Sequence, residues 1–123
     1  MKAAADYSAA ENRWRFVKIT ADRTVALVTV AGDDAYGILQ NDPATGQAAA
    51  IAVLGASQVQ VGVGGISAGN MVASDANGRA VAVSASGAAT ATEMAIAIAR
   101  EDGASGEMAS VFIIHDTRLI PKA

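Results

Sequence analysis

Ser67 and His115 are the side chains of this sequence whose type and setting invite a catalytic reading. Gly65-Ile66-Ser67-Ala68-Gly69 matches G-x-S-x-G, and Asp75 or Asp102 and then His115 follow in the chain order of an α/β-hydrolase triad. In such a triad the imidazole takes the serine proton as the hydroxyl attacks a carbonyl carbon. The pattern needs a strand before the serine and a helix after it. Here Asn70 to Gly78 runs into a hairpin signal instead, and 123 residues are too few for the large parallel sheet that carries such triads. The motif reads as a tight turn between strands, with a small serine hydrolase using Ser67 and His115 as the alternative.

Other chemistries find less. There is no cysteine, so thiolate catalysis, disulfides and cysteine metal sites are excluded together. His115 is the only histidine and reads as a surface or interface side chain. Asp33-Asp34, Asp42 and Asp75-Ala76-Asn77-Gly78 read as turns. Counted from Asp75, a calcium loop would need glycine at its sixth place and glutamate at its twelfth, where this chain has Ala80 and Ser86. Gly62-Val63-Gly64-Gly65 fails as a dinucleotide fingerprint because Ser67 stands where the third glycine belongs. A lipoyl-type carrier needs a lysine at a hairpin tip, and the only lysines are Lys2, Lys18 and Lys122. No metal and no cofactor are expected.

The elements that must position these groups are built from small residues. Hydrophobic residues make up 52% of the chain, but 30 of the 123 residues are alanine and aromatics are only 4%. This composition predicts one domain with a thin core of Val, Ile and Ala, gaining part of its stability from association. The net charge is −3 with no basic run, which argues against nucleic acid as a partner. Asp6 interrupts the signal-like start Met1-Lys2-Ala3-Ala4-Ala5, and no stretch has transmembrane character, so a soluble, unexported protein without a membrane partner is expected.

Turn signals recur every 8–15 residues with strand-like runs between them. Trp14 to Thr20, Thr24 to Val30, Ala35 to Gln40, Gln47 to Leu54 and Met108 to Ile114 are strand candidates. Ser57 to Val63 alternates most regularly, with Val59, Val61 and Val63 on one face. Asn77-Gly78 predicts a type I′ turn leading into a strand from Arg79 to Ala85, and Ser86 to Ala91 a loop. Residues 92–100 carry two signals: Thr90 with Glu93 fits a helix capping box, while Met94, Ile96 and Ile98 alternate with alanine at strand period. The strand is favoured. The fold class is all-β, a small antiparallel β-barrel or sandwich, with residues 1–13 as an extended N-terminal arm, 14–115 as the β-rich domain and 116–123 as a C-terminal tail.

The stretch Ala35-Tyr36-Gly37-Ile38-Leu39-Gln40-Asn41-Asp42-Pro43-Ala44-Thr45-Gly46-Gln47 resembles one in the capsid decoration (cement) proteins of tailed phages. The likeness continues through Ile51 to Gly55 and Ile66 to Val81, resumes at Ala95 to Ala99, and closes at Gly106-Glu107 and Ser110 to Ile113. It covers roughly residues 14–114, and its motifs are turn and strand patterns. That family often carries glycine near position 96, where this chain has Ala95. The resemblance implies a homotrimer that binds the outer surface of an icosahedral shell built from a major capsid protein of the HK97-type fold. It implies a protein made in the host cytoplasm, located on the virion, locking capsomers together after expansion, with neither catalysis nor cofactor. A non-viral β-rich binding module is the further alternative. Four of the five aromatics lie in the first 36 residues. Tyr7, Arg13, Trp14 and Arg15 are the candidate capsid or subunit contacts, since Trp, Tyr and Arg are favoured anchors. On this reading, removal of residues 1–12 leaves a folded chain that no longer binds capsids.

Overall fold

The computed structural model describes residues 1–83, 92–115 and 119–121. Its strands are β1 (Lys2–Ala3), β2 (Phe16–Ala21), β3 (Thr24–Leu27), β4 (Gly37–Leu39), β5 (Ile51–Ala52), β6 (Gly55–Gln60), β7 (Met71–Ser74), β8 (Ala80–Ala82), β9 (Thr92–Met94), β10 (Ala97–Ala99), β11 (Met108–Ile113) and β12 (Leu119–Pro121). One turn of 3-10 helix at Ala10–Asn12 is the helical element among the described residues. The first sheet runs β1-β3-β2-β4-β5 and the second β6-β11-β10-β7-β8, while β9 and β12 form a separate pair. Among the strands of the described residues, only β1 and β3 pair in parallel, and an isolated parallel bridge joins Val61 to Ala80. The protein is an all-β sandwich of two mainly antiparallel sheets.

Two clusters hold it together. Phe16, Val28 and Ile38 from the first half meet Val59, Val61, Val72, Ile96, Val111 and Ile113 from the second in a core shared by both sheets. Val17, Val25 and Leu39 form a smaller cluster with Tyr7, Leu27, Tyr36 and Ile51 packed on it. Phe16 and Val17 are neighbours in sequence and both fully buried, as are Ile38 and Leu39. Successive strand residues point to opposite faces, so the middle of the first sheet is covered on both sides. This explains why the alternation expected from Trp14 to Thr20 falters at Val17.

In the second sheet the smaller residues face inward. In β10 the alanines Ala97 and Ala99 are buried and Ile98 between them is only half-buried. Ala80 and Ala109 join them in the shared cluster. The core is thin on this side because small residues line it, and the larger Ile98 stands on the outer face. Residues 92–94 and 97–99 are strand, as the period-2 pattern favoured, while Thr90 and the expected loop 86–91 lie outside the described residues.

Several boundaries move for local reasons. Gly55-Ala56, outside the strand candidates Gln47 to Leu54 and Ser57 to Val63, opens β6 and pairs with Ile113 and Phe112. Val63 does not continue the Val59–Val61 face. The chain turns there through Gly64 and Gly65, both at positive φ, and leaves Val63 85% exposed. The hairpin between β7 and β8 is not type I′, which needs positive φ at two residues. Only Gly78 has it, at 76°. Asp75 N–H donates to the Arg79 carbonyl, and Asp75 Oδ1 accepts from the Asn77 and Arg79 N–H groups, closing a three-residue loop.

The N-terminal residues are laid onto their own domain rather than projecting from it. Lys2 and Ala3 pair with Thr24 and Val25, Ala3 is buried, and Tyr7 accepts a hydrogen bond from Leu27 N–H. Removing residues 1–12 therefore also strips an edge strand and part of the cover of the second cluster. Part of the C-terminal tail is likewise strand: Leu119–Pro121 pairs with β9.

Gly37 fixes how closely β4 approaches β5. A Cβ there lies 2.3 Å from the Ala52 carbonyl oxygen and 2.6 Å from Ile51 Cγ2. Backbone cannot yield as a side-chain tip does, so Gly37→Ala is expected to cost about 2–3 kcal/mol, read from urea denaturation. An unchanged midpoint would refute the close packing of β4 on β5.

Candidate docking surface

The sheets are joined at Trp14. Its N–H donates to the Leu39 carbonyl, and its carbonyl accepts from Gln60 N–H, both at 2.8 Å. To reach both sheets Trp14 adopts φ of 69°, a conformation that strains a bulky residue. Gln60 completes the seam. Its amide Nε2 donates to the Glu11 carbonyl at 2.6 Å and the Arg13 carbonyl at 2.8 Å. Its Oε1 accepts from Arg15 Nε at 3.2 Å and Arg79 Nε at 3.4 Å. Burial first, and the neighbouring Arg79 charge second, lower the Arg15 pKa, while Glu11 and Asp75 oppose them. Arg13 is paired with Asp42, whose hydrogen bond raises the arginine pKa and lowers that of the carboxylate.

The candidate contacts thus separate. Arg13, Trp14 and Arg15 are brought together at the seam, all half-buried. Tyr7 sits apart, packed on the second cluster.

A second feature lies at the other end of β6. Ile19, Tyr36, Val53 and Leu54 line a shallow apolar groove of about 540 Å³, with Asp34 and His115 as its polar points. Leu54 is 69% exposed and Ile19 49%. Next to it, Phe112 is 48% exposed on the outer face of the second sheet, with Ala56 and Ile98 as its cross-strand partners. Lys18 is ion-paired with Asp33 beside the groove, and that hydrogen bond holds the Asp33 pKa below the usual carboxylate value.

The hydrolase residues are not assembled. Ser67 follows the Gln60 end of the β6–β11 ladder, where Ile66 bridges Gly103, and Asp102 Oδ1 is occupied by Ala68 N–H. His115 follows Ile113, which pairs with Gly55 at the opposite end. Six strand residues, about 17 Å, separate the two ends. Among the described residues no group of three His, Cys, Asp or Glu side chains converges to hold a metal ion.

Gln60, Arg79, Leu54 and Phe112 were not singled out from sequence. Leu54 and Phe112 belong to strand candidates whose outer face could be counted. Gln60 carried the weaker signal of a polar place in an alternating strand, with its partners 19 to 49 residues away.

Gln60→Ala removes the acceptor shared by two guanidiniums and the donors to two carbonyls. It is expected to lower stability by about 2 kcal/mol in urea melts. The Lys18–Asp33 pair gives a pH signature. Because the folded Asp33 pKa is depressed, its contribution is present above the unfolded carboxylate value, about 4, and lost as pH falls through the folded one. The stability gap between wild type and Asp33→Asn should therefore close as pH drops below about 4; a gap that widens there would contradict the pairing.

No family model and no curated protein matches this chain. Among solved structures it is similar to the N base of head fiber gp8.5 of bacteriophage phi29, with a TM-score of 0.64 and 16% identity, over 93% of this chain and 90% of that one. The likeness is one of fold, and it extends over nearly the whole of both chains.

Proposed function

We propose that the chain is a structural protein of a tailed-phage head. It binds the outside of an HK97-type shell as a homotrimer and strengthens contacts between capsomers. The observation that carries this reading is the fold shared, almost end to end, with the base of a phage head fiber. The resemblance of residues 14–114 to decoration proteins rests on turn and strand motifs and points to the same part of the virion. A catalytic reading has no comparable support, since Ser67 and His115 stand at opposite ends of β6.

The physics of the role is linkage. Contacts that exist only on the assembled shell stabilise the assembled state by mass action. The exposed Leu54, Ile19 and Phe112 supply an apolar surface for self-contact. The seam at Trp14 and Arg15 supplies the aromatic and arginine chemistry favoured in protein interfaces.

Light scattering on the eluting protein is expected to give about three times the 12.3 kDa chain mass, and Leu54→Glu to return it to a monomer with unchanged circular dichroism. A charged Leu54 variant that stays trimeric would remove the groove from the self-contact. In a co-sedimentation assay, expanded heads of the phage that encodes the protein are expected to carry it down saturably. Protein that stays in the supernatant at all concentrations would overturn the head assignment.

A further inference from the structure

Arg15 and Arg79 come from segments 64 residues apart in sequence, yet both place Nε on the same oxygen, Gln60 Oε1. Gln60 cannot turn away, because its amide nitrogen is held by two backbone carbonyls. The Arg15 stem is held too: Gly78 packs against it, with a Cβ built at position 78 falling 3.2 Å from Arg15 Cβ. Two like charges are thereby fixed side by side. Burial lowers the Arg15 pKa most, and the Arg79 charge lowers it further. Arg13, the third arginine of this edge, is already matched by Asp42. Among the described residues, neither Glu11 nor Asp75 lies within ion-pair distance of Arg15 or Arg79. Both are near enough to favour the Arg15 charge, and Asp75 Oδ1 is taken up by its own loop.

We propose that Arg15 and Arg79, braced on Gln60, form a receptor for a single carboxylate, supplied by an Asp or Glu side chain on the capsid surface. A guanidinium engaged through Nε still has terminal N–H donors, and its planar fork matches a carboxylate. The partial compensation by Glu11 and Asp75 suits one negative charge better than the two of a phosphate. The carboxylate site stands on the arginine geometry alone; its assignment to the capsid rests on the function proposed above.

The site is tested with succinate as the probe, following the Arg Nε–Hε signals by NMR. Saturable shifts at Arg15 and Arg79, absent at Arg23 and Arg100, are expected. Arg79→Lys, which keeps the charge but not the fork, should weaken binding about tenfold. Shifts spread evenly over all arginines, or none, would overturn the site, and tighter binding of inorganic phosphate would overturn the ligand class. Capsid co-sedimentation then separates the two readings. Arg15→Gln with Arg79→Gln should weaken capsid binding about tenfold, with Arg23→Gln as the neutral control. Succinate binding with undiminished capsid binding by the double variant would overturn the capsid carboxylate as occupant. Succinate binding by a wild-type protein that ignores capsids would overturn the head function and leave the carboxylate site standing.

Discussion

The joint between the two sheets is centred on one backbone crossing, with Phe16 N–H to the Gly78 carbonyl and Gly32 N–H to the Ser74 carbonyl as further bonds between the two halves. Trp14 donates to Leu39 in the first sheet and accepts from Gln60 in the second, at the cost of a left-handed conformation. Everything beyond it follows in register. Phe16 enters the shared core and Val17 the smaller cluster because Trp14 has already set the phase of β2. Gln60 meets the Arg13 and Glu11 carbonyls for the same reason. An unstrained Trp14 would lose one of its two partners and leave the joint to the Phe16–Gly78 bond and the shared core. A strained residue held in place by the structure around it commonly marks a functional position, and this one lies among the residues proposed to meet the shell.

The core is thin, and that is the physical ground for the proposed self-association. Five of the residues in the shared cluster are alanines: Ala35, Ala80, Ala97, Ala99 and Ala109. Each withdraws far less apolar surface from water than a leucine or phenylalanine would. Meanwhile Leu54, Phe112, Ile19 and Val63, the side chains that would enrich such a core, stand in solvent. The partition is a consequence of alternation: where β10 and β11 turn alanine or valine inward, Ile98 and Phe112 must face out. Apolar area missing from the inside is thus available on the outside, where a neighbouring subunit can cover it.

Fold class was legible in the sequence because it rests on local signals. Turn residues at 41–46 and 64–65 and the valine alternation at 59 and 61 survive as expected, while 75–78 turns but not as the type I′ expected. What was not legible depends on pairing. Whether Ile98 or its flanking alanines face inward is decided by the neighbouring strands, since a period of two leaves both faces open. The N-terminal segment, poor in pattern, looked like a free arm. Its attachment comes from backbone hydrogen bonds to Arg23, Val25 and Gln47, which no side-chain pattern encodes. Within the docking surface, Trp14, Arg13 and Arg15 could be chosen by residue type. Gln60 and Arg79 could not, because what distinguishes them is convergence across the fold.

The two surface features differ in chemistry and stand at opposite ends of β6. At its Gly55 end lie Leu54, the groove and His115. At its Gln60 end lie Trp14 and the two arginines. A strand spaces them by about 17 Å, enough for each to meet a different neighbour. An apolar contact is non-directional and gains with area, which suits a surface repeated among identical subunits. A fixed pair of guanidiniums is directional and discriminates by geometry and charge, which suits recognition of a single foreign surface. The function proposed for this chain calls for both, joining its own copies while selecting one kind of site on the shell. Placing the two chemistries at the two ends of one rigid ladder keeps them from competing for the same partner.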